Sequence, residues 1–238
     1  MKTLLVNGCS YGECWNPSED FVSGIGCNKV VNISKSGTSF QRACRTTIEW
    51  IAQNGSPGMV MLPLTFPHRW ELALNKDEDE IDGSWVPLQN SNYLNDSFNL
   101  EDSLIDDIHK LCDYYYKIIP NLKTYWDLMF TNIIMISGFL ESRNVPYLIW
   151  DMCNGFDKEH LNRPSKNKER YKAFEKINLI SENKRIIDIW KFCGNKFMWG
   201  TMPYDRRRTT PEYRHHHNEI QYKELEKYIL TYLKSIDQ

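Results

Sequence analysis

Thr3-Leu4-Leu5-Val6-Asn7-Gly8-Cys9-Ser10-Tyr11-Gly12 reads as a short apolar strand that runs into a glycine-flanked serine. Such an arrangement sets one hydroxyl at the carboxyl end of a strand, where the sites of open α/β sheets lie. A helix beginning just after the serine would aim unused backbone N–H groups at whatever sits on that hydroxyl. Taken alone the segment reads as an ordinary turn, because Gly and Ser also serve turns. Its weight comes from the far end of the chain, where His215-His216-His217-Asn218-Glu219 stands just ahead of a helical pattern. A serine and a histidine are two parts of an acyl-transfer site.

Working outward from residues 2–7, strands and helices alternate. Lys29-Val30-Val31-Asn32-Ile33 predicts a second strand, and Ser39 to Asn54 a helix that stops before Gly55 and Pro57. Gly58-Met59-Val60-Met61-Leu62-Pro63-Leu64 is apolar enough for a central strand. Residues 75–100, with Asp77-Glu78-Asp79-Glu80 and scattered Asn and Ser, read as a long polar loop or insertion rather than a second domain. Leu100 to about Arg143 is helical, with an interruption near Pro120. Pro146-Tyr147-Leu148-Ile149-Trp150 predicts a fourth strand, and Arg185-Ile186-Ile187-Asp188-Ile189-Trp190 a fifth. Residues 155–184 are charged and partly helical. Glu219 to Ile236 closes the pattern as an amphipathic helix, with Ile220, Leu225, Ile229 and Leu233 on one stripe. Alternation of this kind predicts one three-layer α/β/α domain over residues 1–238, with a mostly parallel sheet.

The 238 residues suit one sizeable domain, and the net charge of −2 gives no field that would gather nucleic acid or an acidic membrane surface. Arg206-Arg207-Arg208 is short and local, and reads as a solvated loop. No apolar run approaches membrane-spanning length, and the apolar stretch after Lys2 is too short for a signal peptide. The seven cysteines form no CxxC pair, which argues against a disulfide framework or a structural zinc site. A reducing, cytoplasmic setting is therefore expected, and the oligomeric state is not legible.

The order of these segments resembles the SGNH hydrolase superfamily, the GDSL-type esterases and lipases. The first block of that family, a strand followed by Gly-Asp-Ser, corresponds to Gly8-Cys9-Ser10, with cysteine in place of aspartate. The second corresponds to Asn32-Ile33-Ser34-Lys35-Ser36-Gly37-Thr38-Ser39. The third, an apolar strand ending Gly-x-Asn-Asp, ends here as Leu64-Thr65-Phe66-Pro67-His68-Arg69. The fifth, Asp-x-x-His-Pro-Asn, has its counterpart in His216-His217-Asn218. The resemblance implies a flavodoxin-like sheet and a serine esterase that needs no cofactor. Its substrate would be a small ester, an acetyl group on a carbohydrate being one form.

Carried over residue by residue, the resemblance makes Ser10 the nucleophile and His216 its base. A neutral hydroxyl needs such a base, and imidazole titrates near working pH. Ser10 and Gly37 would supply backbone N–H donors to the oxyanion. The family's third donor is an asparagine, which this chain lacks; Thr65 is the nearest hydroxyl. Losing one such donor costs about 3–4 kcal/mol of transition-state stabilisation. The family's aspartate would fall on Tyr213 in the His216 register, so Glu212 is the acid read as orienting the histidine, ahead of Asp205. The alternative register pairs Glu212 with His215. The missing asparagine and displaced acid support a second reading, a weakened SGNH fold kept as a binding or assembly module.

His68 and Arg69 follow the third strand, where loops build the site, and are read as substrate-binding. Arg69 could take a substrate carboxylate or phosphate, or pair with Glu71. No metal is read at the histidine triplet, because adjacent side chains diverge. Cys9 reads as a small buried residue under the turn, and His109 and His160 as exposed bystanders. Tyr114-Tyr115-Tyr116 and Tyr125-Trp126 suit helix packing before sugar stacking.

Overall fold

The computed structural model describes residues 1–65, 67, 69–73, 85–88, 102–118, 122–151, 183–187 and 219–236. Strands β1 (Thr3–Val6), β2 (Lys29–Asn32), β3 (Met59–Leu64), β6 (Tyr147–Asp151) and β7 (Ile186–Ile187) form one sheet in the order β2-β1-β3-β6-β7. Every pairing in it is parallel. The chain is thus an α/β protein whose described residues form a five-stranded parallel sheet, in the 2-1-3-4-5 order of doubly wound flavodoxin-like folds. Strands β4 (Trp70–Ala73) and β5 (Trp85–Leu88) pair antiparallel beside it.

Alternation of side chains along each strand sorts the core into two layers. Leu4, Val6, Met59, Met61, Leu148 and Trp150 face one side. There they meet α1 (Ser10–Glu13), α2 (Glu19–Gly24) and α6 (Glu219–Ile236) through Tyr11, Trp15, Phe21, Leu225, Ile229 and Leu233. Leu5, Val60, Leu62, Leu64, Tyr147 and Ile149 face the other side. They are covered by α3 (Phe40–Asn54) and α5 (Leu122–Ser142) through Phe40, Ala43, Ile51, Phe130, Ile133 and Leu140. All six residues of β3 are buried, as befits a strand covered on both faces. Helix α3 starts where the sequence predicts, with the Ser39 hydroxyl accepting the Arg42 N–H at 3.0 Å.

Three departures from the sequence reading are informative. Within the stretch read as polar loop, Trp85–Leu88 is a strand paired with Trp70–Ala73. Its Val86 and Leu88 are buried against Ile108 and Cys112 of α4 (Asp102–Ile118). The polar and acidic surroundings hid a four-residue apolar stretch. The hairpin is tied to α3 by Arg45, whose guanidinium reaches Glu71 at 3.0 and 3.3 Å and lies 4.5 Å from the Trp85 ring centroid. Secondly, α2 was not foreseen, although Ser18 caps it through the Phe21 N–H. Thirdly, the described part of the fifth strand is two residues, Ile186–Ile187. Residues 155–182 lie outside the described residues.

Gly8 marks the closest approach of the serine turn to β3. A Cβ there would lie 2.8 Å from Pro63 Cγ and 2.9 Å from the Pro63 carbonyl oxygen. The carbonyl is backbone and cannot swing away. Gly8→Ala is therefore expected to cost about 1–3 kcal/mol of stability, the usual scale of overpacking. A chemical-denaturation midpoint equal to that of the parent protein would count against this close contact.

Candidate active site

The sheet order reverses direction between β1 and β3: from β1 the chain moves outward to β2, then returns to build β3, β6 and β7 on the other side. Loops diverge at such a point and leave a crevice outside the carboxyl ends of the strands. Ser10 follows β1 and Thr65 follows β3. The register pairs Val6 with Met61, and Gly8 beyond it lies against Pro63, so the serine turn and the exit of β3 are neighbours. Gly37 follows β2, the neighbour of β1 on its other side.

Hydrogen bonds lace the three loops together. Lys35 N–H donates to Gly8 O at 3.1 Å, and Asn32 Nδ2 donates to Gly12 O at 2.8 Å. The Ser36 hydroxyl bonds the Glu13 carboxylate. Thr65 Oγ1 donates to Thr38 O at 3.3 Å, joining the third loop to the second. Arg69 Nη1 donates in turn to Thr65 Oγ1 at 3.1 Å.

Ser10 is the first residue of α1 and is 9% exposed, with Cys9 before it fully buried. The bonds of this turn begin with the Gly12 and Glu13 N–H groups on Cys9 O, at 2.9 and 3.0 Å, so they do not consume the Ser10 N–H. Gly37 has φ 76°, a left-handed backbone that favours glycine and turns the loop sharply after β2.

Under the loops lies a buried polar knot. Asn7, fully buried, directs Nδ2 at Ala43 O, Thr46 Oγ1 and Thr47 Oγ1, at 2.8, 2.8 and 2.9 Å. Arg42, also buried, donates to Ile33 O at 3.0 Å and approaches Asn7 Oδ1 at 3.4 Å. This knot fixes the exits of β1 and β2 against α3, which begins immediately after Gly37-Thr38-Ser39.

Helix α6 is clamped to the serine turn. The Tyr222 hydroxyl donates to Tyr11 O at 2.8 Å. Burial, reinforced by the neighbouring Cys14 and Cys9, raises the Tyr222 pKa well above the usual phenol range and keeps it a donor. Glu226, also buried, accepts from Trp15 Nε1 at 3.1 Å, Ser18 N–H at 2.9 Å and Ser18 Oγ at 2.5 Å. Further along, Tyr232 reaches Lys184 O, just ahead of β7. Helix α6 therefore starts at the carboxyl edge of the sheet, beside α1, and runs toward the opposite edge. Glu226→Ala should leave the Trp15 and Ser18 donors without their acceptor, at about 1–3 kcal/mol for each buried group orphaned. A thermal midpoint unmoved by that change would contradict the clamp.

Of the residues singled out in the sequence, Ser10, Gly37, Thr65 and Arg69 come together at one edge. Glu71 is engaged by Arg45. His68, Glu212, His215, His216 and His217, together with Asp205 and Arg206-Arg207-Arg208, lie outside the described residues. Cys9 is packed in the core under the turn. Burial, and then the Glu13 and Cys9 charges, raise the Cys14 thiol pKa, which disfavours a thiolate beside the turn. His109 is half-buried rather than exposed, because α4 turns Ile108 and Cys112 into the hairpin core on either side of it. Among the described residues no group of three His, Cys, Asp or Glu could hold a metal, and no helix is long and apolar enough to cross a membrane.

The sequence signals missed Asn7, Arg42, Tyr222 and Glu226. Asn7 closes an apolar run and Glu226 interrupts the apolar stripe of α6. Each is a polar residue at a position whose periodicity demands burial, and that conflict was the available signal. Between α3, α5 and β4, a shallow recess is lined by Phe40, Gln41, Pro67, Arg69, Trp70, Leu128, Met129 and Asn132.

No protein-family model matches the chain, and no curated protein matches it. Among solved structures, the crystal structure of TesA is similar over 98% of this chain and 99% of its own, at 13% identity and a TM-score of 0.47.

Proposed function

We propose that the protein is a serine hydrolase of SGNH type that removes a small acyl group from an ester. The observation that carries this reading is the convergence of Ser10, Gly37 and Thr65 on the β1/β3 switch point, in loops bonded directly to one another. In this reading Ser10 is the nucleophile, and the Ser10 and Gly37 N–H groups receive the oxyanion. His216 is the base and Glu212 orients it. The start of α6 supports the pairing. His216 stands three positions ahead of Glu219, a reach of at most about 10 Å, and Tyr222 is bonded to the residue after Ser10. The substrate in this reading is a small ester, an acetylated carbohydrate being one form.

The chemistry proceeds in two transfers. Ser10 Oγ attacks the ester carbonyl as its proton passes to the imidazole, and the carbonyl π pair moves onto oxygen. Collapse expels the alcohol, which takes that proton. Water, deprotonated by the same imidazole, then releases the carboxylic acid and restores Ser10.

A fluorophosphonate probe tests the reading, since it forms a stable adduct only with an activated serine. Labelling is expected, with the adduct mapped to the peptide containing Ser10. A chain that takes no label under conditions where it is folded would turn the reading to a binding or assembly module. The feature that favours this second reading is the third block, which lacks the family's asparagine and directs the Thr65 hydroxyl at Thr38 O.

A further inference from the structure

We infer that Tyr222 is a positioning residue for the Ser10 hydroxyl, holding the serine turn in its reactive orientation from α6; this rests on the serine-hydrolase reading of the same site. Helix α1 is a single turn, Ser10–Glu13, and one turn fixes little by itself. Its orientation comes from what grips it. On the β3 side, Gly8 lies against Pro63, where a Cβ would come within 2.8 Å of the ring. On the β2 side, Asn32 Nδ2 donates to Gly12 O at 2.8 Å and to Trp15 O at 3.1 Å. A body held at two points still rocks about the line that joins them. The third hold is the Tyr222 hydroxyl on Tyr11 O at 2.8 Å, from an element 211 positions away. Tyr11 directly follows Ser10, so a rotation of its carbonyl reaches the serine through one residue.

The N–H groups of the turn are spent elsewhere: Gly12 and Glu13 on Cys9 O, Cys14 on Ser10 O and Trp15 on Gly12 O. The Tyr11 carbonyl between them is met from α6 instead. Tyr11 and Tyr222 are both buried, so water has little access to replace the bond. Burial also raises the Tyr222 pKa, and the hydroxyl keeps its proton at working pH. Attack needs Ser10 Oγ at about 3–3.5 Å from the carbonyl carbon with orbitals aligned, and a displacement of about 1 Å can cost about 10²-fold in rate. In this role Tyr222 touches no reacting atom and exchanges no proton. Its loss is felt in the chemical step and hardly in substrate binding.

The test is steady-state hydrolysis of a neutral p-nitrophenyl ester by the full chain, well below its thermal midpoint, with Ser10→Ala as the blank. Tyr222→Phe keeps the ring in the core and removes only the hydroxyl. It is expected to lower kcat by about 10–10²-fold with KM changed less than about threefold. The rate of fluorophosphonate labelling at Ser10 should fall by a similar factor. The pH profile of kcat/KM should keep its shape, because Tyr222 does not titrate there. The comparison is Tyr147→Phe, which removes a phenol bonded to Glu141 at 2.5 Å and Asn183 at 2.7 Å. Tyr147 is the first residue of β6, at the sheet edge away from Ser10, so this change should lower the thermal midpoint and leave kcat near the parent's. Unchanged kcat in Tyr222→Phe overturns the inference while Ser10-dependent turnover keeps the hydrolase reading. A raised KM with kcat intact also overturns it, as does a shifted pH profile, which would make Tyr222 part of the proton transfer. An equal loss of kcat in Tyr147→Phe, or a Tyr222→Phe chain without native circular dichroism, makes the bond a structural one and overturns it as well. Absence of Ser10-dependent turnover in the parent protein removes the hydrolase reading and this inference with it.

Discussion

Ser10→Ala is expected to lower turnover of short-chain activated esters by at least about 10⁴-fold and to abolish fluorophosphonate labelling. The size of the effect follows from the chemistry. Without the hydroxyl no acyl-enzyme can form, and what remains is water attacking a carbonyl held by the loop donors. The fold should survive, because alanine is well suited to the start of a helix and leaves the turn bonds of Gly12 and Glu13 on Cys9 O in place. Circular dichroism and a thermal midpoint close to the parent's would establish that. Retained turnover in the alanine variant would sink the serine mechanism. Cys9 would be a poor substitute, being fully enclosed beneath the turn.

His216→Gln should lower kcat by about 10³–10⁵-fold, since the serine would have to lose its proton without a base. The expected pattern across the triplet carries the information. Consecutive side chains cannot all enter one pocket, so His217→Ala should leave turnover near that of the parent. His215→Ala beside Glu212→Ala decides the register. If both are as inactive as Ser10→Ala while His216→Ala works, the catalytic pair is Glu212 with His215 and the register shifts by one. If no change in this region touches turnover, the activity is background and the binding-module reading stands.

The layers of the fold were legible because strand burial leaves a simple mark. Residues 3–6, 59–64 and 147–151 are nearly continuous apolar runs, which a sheet covered on both faces requires. The close of the helix at Asn54, the break near Pro120 and the span of α6 followed from caps, breakers and periodicity. The β4–β5 hairpin was not legible. Its stability comes from α4 and from Arg45, which lie far away in sequence, while its local composition is acidic. The site divides the same way. Ser10, Gly37 and Thr65 could be placed together because each simply follows a strand, and neighbouring parallel strands bring their carboxyl ends to one edge. The Asn7–Arg42 knot and the Glu226 clamp could not, since a lone polar residue in an apolar pattern does not name its partner.

The bond from Trp15 to Glu226 spans 211 positions of the chain. Closing so long a loop is entropically slow, and contacts of this separation form late. The strands of the sheet all precede α6 in the chain, and until α6 has been made the serine turn has neither the Tyr222 nor the Glu226 bond to hold it. A growing chain would carry Ser10 on a loosely held turn until synthesis had passed Glu226. The serine turn therefore reaches its final packing only once the segment that carries Tyr222 and Glu226 has been made.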